Sequence, residues 1–196
     1  MLLKEKENIE MWLNKYGVKN YTLIKDEKYG YVVNTSSHVI LSEKKLYNLN
    51  VKFNEVNGDF ICSHNLLDTL EGSPEIVNGN FNCSNNQLKN LLFSPQQTFN
   101  GFLCNNNKLE TLEGISKFVG FVLHCSNNNL TLEGLKYLND NISIIFISLK
   151  RNEKLGYLQE IDNIEEIKEV LKIQKEKEIL NLIKPKTIQQ KKIYKI

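Results

Sequence analysis

Two apolar rhythms divide this chain. Near its start Ile9, Trp12, Leu13 and Tyr16 stand at i, i+3, i+4 and i+7, one stripe of an amphipathic helix that Gly17 ends. The next stretch, "YTLIKDEKYGYVV", reads as two short strands around a polar turn. Beyond it whole columns of residues recur every 21 positions. Phe60, Phe81, Phe102 and Leu123 form one column, and Cys62, Cys83, Cys104 and Cys125 another. Asn65, Asn86, Asn107 and Asn128 form a third, and Leu67, Leu88, Leu109 and Leu130 a fourth. Leu70, Leu91 and Leu112 continue the pattern with Leu132 one residue early, so the fourth copy has lost a residue. Val56, Val77 and Val119 mark the other end of each copy, with Thr98 in the gap. Self-similarity at this period predicts a stack of coils.

The array extends in weaker form on both sides. A step of 21 back lands on Leu41, Leu46 and Leu49, and "ISIIFISLKRNEKL" at 142–155 alternates apolar residues before offering Asn152 and Leu155. About six coils are expected, the outer two atypical because terminal repeats act as caps. The predicted class is α/β: a solenoid of about six 21-residue coils with a short-stranded parallel sheet over 35–157. A helix and β cap at 1–34 precede it, and a C-terminal helix with a basic tail at 158–196 follows.

Alternation along a strand turns Phe60 and Cys62 inward and Asp59, Ile61 and Ser63 outward. Cysteine then serves as a small buried hydrophobe in a narrow coil. Metal binding by all four is excluded by geometry: Cys62 and Cys125, three coils apart, would be separated by about 14 Å, against ~2.3 Å from donor to ion in a zinc site. Disulfides are disfavoured because parallel in-register side chains keep their Cβ atoms wider than the ~3.8 Å a bridge prefers. A buried Asn where the strand turns can satisfy backbone groups of its own and of the neighbouring coil. The Glu-Gly pairs at 71–72, 113–114 and 133–134, with Pro74 and Pro95 in register, read as turn chemistry.

Each good copy reads apolar-x-Cys-x-x-Asn-x-Leu-x-x-Leu, which resembles the leucine-rich repeat. More closely, "VNGDFICSHNLLDTLEGSPEIVNGNFNCSNNQL" at 56–88 resembles a short V-x-G-x-F-x-C-S-x-N-x-L-x-x-L-E-G-x-P repeat of leucine-rich-repeat-like proteins from bacteriophages and low-GC bacteria. The lead-in "IEMWLNKYGVKNYTL" is similar to theirs, so the resemblance covers roughly 9–157. It implies a small accessory factor that inhibits or modulates a bacterial protein, a defence nuclease among the candidates.

Composition narrows the classes. No run approaches the ~20 apolar residues of a membrane span, and "MLLKEKENIE" turns charged too early for a signal peptide. The expectation is a cytoplasmic protein of a bacterial or phage-infected cell, with reduced thiols. The net charge of +2 is unevenly spread: the last thirteen residues carry Lys184, Lys186, Lys191, Lys192 and Lys195 and no acid. This basic tail is a candidate nucleic-acid or ribonucleoprotein contact, set against the simpler reading of a solvated, frayed terminus. Before it, Asp162 and Glu165 suggest a capping box for a helix running to about Lys184. Ile164, Ile167, Leu171, Ile179, Leu182 and Ile183 are more numerous than a polar cap strictly needs: the helix is expected to cover the last coil, the alternative being that part of the stripe serves a partner or a second copy, so the chain is expected as a monomer or a C-terminal-helix dimer.

No phosphate-binding glycine loop, H-E-x-x-H or G-x-S-x-G motif is present, and His38, His64 and His124 are scattered. No catalytic, cofactor-binding or metal-binding residue is assigned. The outward strand columns are polar and nearly uncharged, unlike a phosphate-backbone groove. The candidate partner-binding face comprises Ile61, His64, Asn82, Asn85, Leu103, Asn105, Val122 and His124, apolar where Leu103 and Val122 lie. A non-enzymatic protein-binding module is the first expectation; nucleic-acid binding through the tail and a structural self-associating component are the alternatives.

Overall fold

The N-terminal stripe folds as helix α1 (Lys6–Lys15), which buries Ile9, Trp12 and Leu13; the computed structural model describes residues 2–138 and 144–183, with side chains as far as 180. Strands β1 (Tyr21–Asp26) and β2 (Gly30–Thr35) form an antiparallel hairpin. The Asp26 carboxylate closes its turn by accepting the Lys28 and Tyr29 backbone N–H at 2.9 and 2.7 Å. β2 then pairs in parallel with β4 (Lys52–Val56), so the hairpin starts a sheet rather than merely covering one.

Each coil contributes a front and a back strand. The front ladder runs β3 (Val39–Ile40), β5 (Phe60–Ile61), β7 (Phe81–Asn82), β9 (Phe102–Leu103), β11 (Val122–His124) and β12 (Phe146–Ser148). The back ladder continues from β4 through β6 (Ile76–Val77), β8 (Gln97–Thr98) and β10 (Phe118–Val119). Two six-stranded sheets therefore exist where a single one was expected. The second arises from the Val56, Val77, Thr98, Val119 column, whose buried side chains hold two-residue strands against the core. The six front strands are joined by about five turns of solenoid, in keeping with about six coils of which the outer two are atypical.

Between the sheets lies a continuous core. Phe60 stacks on Phe81 at 5.8 Å between ring centroids and Phe81 meets Phe102 at 5.1 Å. Phe53 joins this aromatic column to Trp12 of α1, at 5.1 Å from Phe60 and 6.4 Å from Trp12. The four cysteines and the Leu67, Leu70, Leu88, Leu91, Leu109 and Leu112 side chains are fully buried beside it. At the two ends of the cysteine column stand Leu41 and Leu149, also fully buried, so the terminal coils fill the same place with a larger side chain.

The asparagine column brackets consecutive coils. Asn86 Oδ1 accepts the Leu67 backbone N–H of the preceding coil at 3.0 Å, while its Nδ2 donates to the carbonyls of Cys62, Cys83 and Ser84 at 3.0, 3.1 and 3.3 Å. Asn65, Asn107, Asn128 and Asn152 repeat the arrangement on the preceding coil. The residue just before each bracket is left-handed: His64, Asn85, Asn106, Asn127 and Arg151 all have φ between 53° and 58°. Asparagine tolerates that conformation better than most residues, which accounts for the Asn-Asn pairs.

Turn glycines obey the same logic. Gly72 and Gly114 have φ of 97° and 87°, and a Cβ on Gly72 would lie 2.5 Å from the Val51 carbonyl oxygen. Phe93 occupies the equivalent place with φ 67°. The third Glu-Gly pair departs from the expected turn: the residue lost from the fourth copy draws Glu133 and Gly134 into a 3-10 helix, Glu133–Tyr137. Two further 3-10 turns within Glu153–Glu160, broken at Gly156 (φ 55°, ψ −129°), lead to helix α2 (Ile164–Ile183). Its cap is Asn163, not Asp162: the Asn163 Oδ1 accepts the Glu165 and Glu166 N–H at 2.9 and 3.3 Å, and Asp162 instead gives its carbonyl to Ile147 N–H.

Asn86→Ala leaves a buried N–H and buried carbonyls unpaired and is expected to cost about 3 kcal/mol. Asn86→Asp is expected to cost more at pH 7, because it keeps the acceptor but sets a carboxylate against three carbonyl oxygens. Denaturant midpoints at constant slope measure both; an Asp variant as stable as the wild type would refute the bracket.

Candidate interaction surface

The front ladder displays the columns that the strand pattern directed outward. Ile61, Asn82, Leu103, Val122 and His124 are half-buried and share one face, in register through β5, β7, β9 and β11. His64 and Asn85 lie at its edge in the left-handed column, where the residue type of Asn85 answers a backbone demand. Asn105 is half-buried and accepts the Ser84 hydroxyl at 2.7 Å. Ser63 and Ser84, read as outward, are buried at 5% and 3% exposure, because the chain is already bending into the asparagine bracket. Lys184, Lys186, Lys191, Lys192 and Lys195 lie outside the described residues.

Most polar groups on this face bond to one another along the ladder. Asn80 donates its backbone and side-chain N–H to the Asp59 carboxylate at 2.6 and 3.0 Å and accepts the Gly101 N–H at 2.9 Å. Asn127 donates to Asn106 Oδ1 at 2.6 Å, and the Ser126 and Ser148 hydroxyls pair at 3.1 Å. Such ladders satisfy themselves and leave little hydrogen-bonding capacity for a ligand. The polar part of the candidate face is therefore less available to a ligand than its composition suggests.

The apolar part is larger than the strand columns show. Where the back strand turns into the front strand, successive coils carry Asn57, Asn78 and Phe99 in one column and Gly58, Gly79, Asn100 and Phe121 in the next. Phe99 contacts Phe118, ring centroids 5.3 Å apart. Phe121 shares its carbonyl with the Ile145 and Phe146 N–H groups, at 2.8 and 3.1 Å. Phe146 pairs in register with Val122, and Val122 and Leu103 flank Gly101. The C-terminal coils thus carry exposed Phe99, Phe121, Ile145 and Phe146, from 40% at Phe146 to 71% at Ile145, beside half-buried Leu103 and Val122. Sequence reasoning stopped at Leu103 and Val122; the signal for the rest was the change from Asn57 and Asn78 to Phe99 within one turn column.

Nothing in these columns gathers chemistry. Among the described residues no group of three or more His, Cys, Asp or Glu side chains is placed to hold a metal. Cys104 and Cys125 touch, Sγ to Sγ 3.4 Å, as neighbouring free thiols in the core. Burial pushes the Cys62 thiol up to about 12 and raises Cys83 and Cys104 as well, so these are not nucleophiles at neutral pH. An open groove of about 940 Å³ between the Glu133–Tyr137 3-10 helix and α2 is lined by Leu132, Leu138 and Leu171 together with acids and lysines of mixed sign such as Glu133 and Lys168. No described helix is long and apolar enough to cross a membrane. No family model, curated protein or solved structure matches this chain significantly.

Buried thiols make two expectations. A soluble disulfide reagent should label none of the four cysteines in the native protein within minutes and all four in denaturant; rapid native labelling would refute their burial. Because the folded thiols resist ionisation while unfolded ones ionise near 9, stability is fully present below that pH and falls as pH rises toward 12. Melting temperatures across pH 8–11 should decline, and Cys62→Ala should flatten the decline.

Proposed function

We propose that this chain is a non-enzymatic protein-binding module of leucine-rich-repeat-like type, whose contact surface is the apolar patch of Phe99, Phe121, Val122, Ile145 and Phe146. The observation that carries this reading is the departure of that patch from its own repeat. Equivalent turn positions in earlier coils hold Asn57, Asn78 and Gly79, so the scaffold does not require aromatic residues there. Contiguous exposed apolar side chains cost solubility and mark interaction sites. Fixed on a rigid ladder, they lose little side-chain entropy on binding. The polar columns beside them form a rim. The repeat's resemblance to those of bacteriophage and low-GC bacterial proteins supports a bacterial protein as the target, with the chain acting as an accessory factor that blocks or redirects it.

The test is a pull-down from nuclease-treated bacterial lysate with the wild type, Phe121→Asp/Ile145→Asp and a 184–196 deletion, eluates being read by mass spectrometry. A stoichiometric protein held by the wild type and the deletion but lost by the double variant is expected. Central apolar contacts are each worth about 2 kcal/mol, so affinity should drop by at least roughly thirtyfold per residue. Both changes lie on exposed side chains, and an unchanged circular dichroism spectrum checks the fold. Capture that survives the double variant but vanishes with the tail or with nuclease would overturn the proposal in favour of nucleic-acid engagement.

A further inference from the structure

Helix α2 docks on the solenoid through its first half. Ile164 and Ile167 are buried, Val170, Leu171 and Gln174 half-buried, and every described side chain from Lys175 to Leu180 is exposed. At about 100° per residue, Ile164, Ile167 and Leu171 fall on one arc and Ile173 and Leu180 on the opposite side, with Ile179 between the two. The helix is thus apolar on two faces in succession, the first covered by the last coil and the second not. Ile173, Ile179 and Leu180 are 42%, 45% and 59% exposed. A short helical extension is marginal in water unless an apolar face is covered, so this second face needs an occupant.

The charges beside it indicate which one. A two-fold axis between positions 176 and 177 of antiparallel helices sets Ile173 against the partner subunit's Leu180 and Lys177 against the partner subunit's Glu176. Symmetry repeats both pairs. A parallel pairing would instead place Glu176 on Glu176 and Lys177 on Lys177, which is repulsive. The geometry points to a second copy of this chain: we propose that the distal half of α2 forms an antiparallel homodimer through Ile173 and Leu180, its orientation selected by Glu176 and Lys177. The contact is well below the size of a standard interface, so the dissociation constant is expected on the order of 10–100 µM. The dimer presents two apolar patches, so a target with two copies of the matching surface would be held with avidity.

Sedimentation equilibrium of the full chain from 1 to about 300 µM tests this without any target, so its outcome is independent of the binding reading. The wild type should pass from monomer to dimer. Ile173→Glu/Leu180→Glu should stay monomeric with an unchanged circular dichroism spectrum, because neither side chain is buried by the solenoid. Glu176→Lys and Lys177→Glu should each weaken the dimer about tenfold, and the double exchange should restore it. A wild type monomeric throughout, a dimer indifferent to the Ile173 and Leu180 changes, or a double exchange that fails to restore association would each overturn the proposal.

Discussion

The structure depends on the pairing of one asparagine amide with the backbone of two consecutive coils. A coil here has two strands of two or three residues, too short for strand ladders alone to satisfy the chain where it bends inward. At each bend one N–H and several carbonyls point away from water, and each would be costly if left unpaired. The amide of Asn65, Asn86, Asn107, Asn128 or Asn152 meets both kinds of group, because it carries an acceptor and two donors on one rigid plane. No other side chain of that size does so.

Other features of the repeat follow from this bracket. Its donor must reach the carbonyl of the cysteine position in its own coil and in the preceding one, and the small thiol side chain leaves the narrow coil room for the asparagine, phenylalanine and leucine side chains. The residue before the bracket must turn left-handed, which selects Asn85, Asn106 and Asn127 and strains His64 and Arg151. Registers accumulate from coil to coil, so the Phe60, Phe81 and Phe102 rings come into contact without any further specification. Positions outside this set are free to vary, and that separation of constrained from free columns gives the patch at Phe99, Phe121 and Ile145 its meaning.

Legibility in the sequence tracks how locally each feature is determined. The period, the inward columns, α1 and the hairpin were readable because each rests on spacing within a few residues or on exact recurrence. The back sheet was not, since its strands β6, β8 and β10 are two residues long and only their side-by-side stacking makes them a ladder. Asn163 displaced Asp162 as the cap of α2 because a capping box specifies a spacing, whereas the last coil decides where the helix axis begins, and Asp162 is held there by its bond to Ile147. The surface was half legible. Leu103 and Val122 were seen as strand residues, but Phe99, Phe121 and Ile145 belong to turns, and a turn's outward direction is known only once coils are stacked.

The C-terminal end shows why a solenoid and its cap need not match in length. A coil offers an end surface whose width is set by the bracket and the core columns, and it does not grow with the helix that covers it. The docked stretch from Ile164 to Gln174 is about 16 Å long, whereas the whole of α2 is about 30 Å. Had the helix existed only to seal the last coil, its distal half would be polar all round. Instead the apolar arc changes sides soon after Leu171, near where the solenoid ends. A helix that reverses its apolar face at that point offers a second contact surface, the one the proposed dimer would fill.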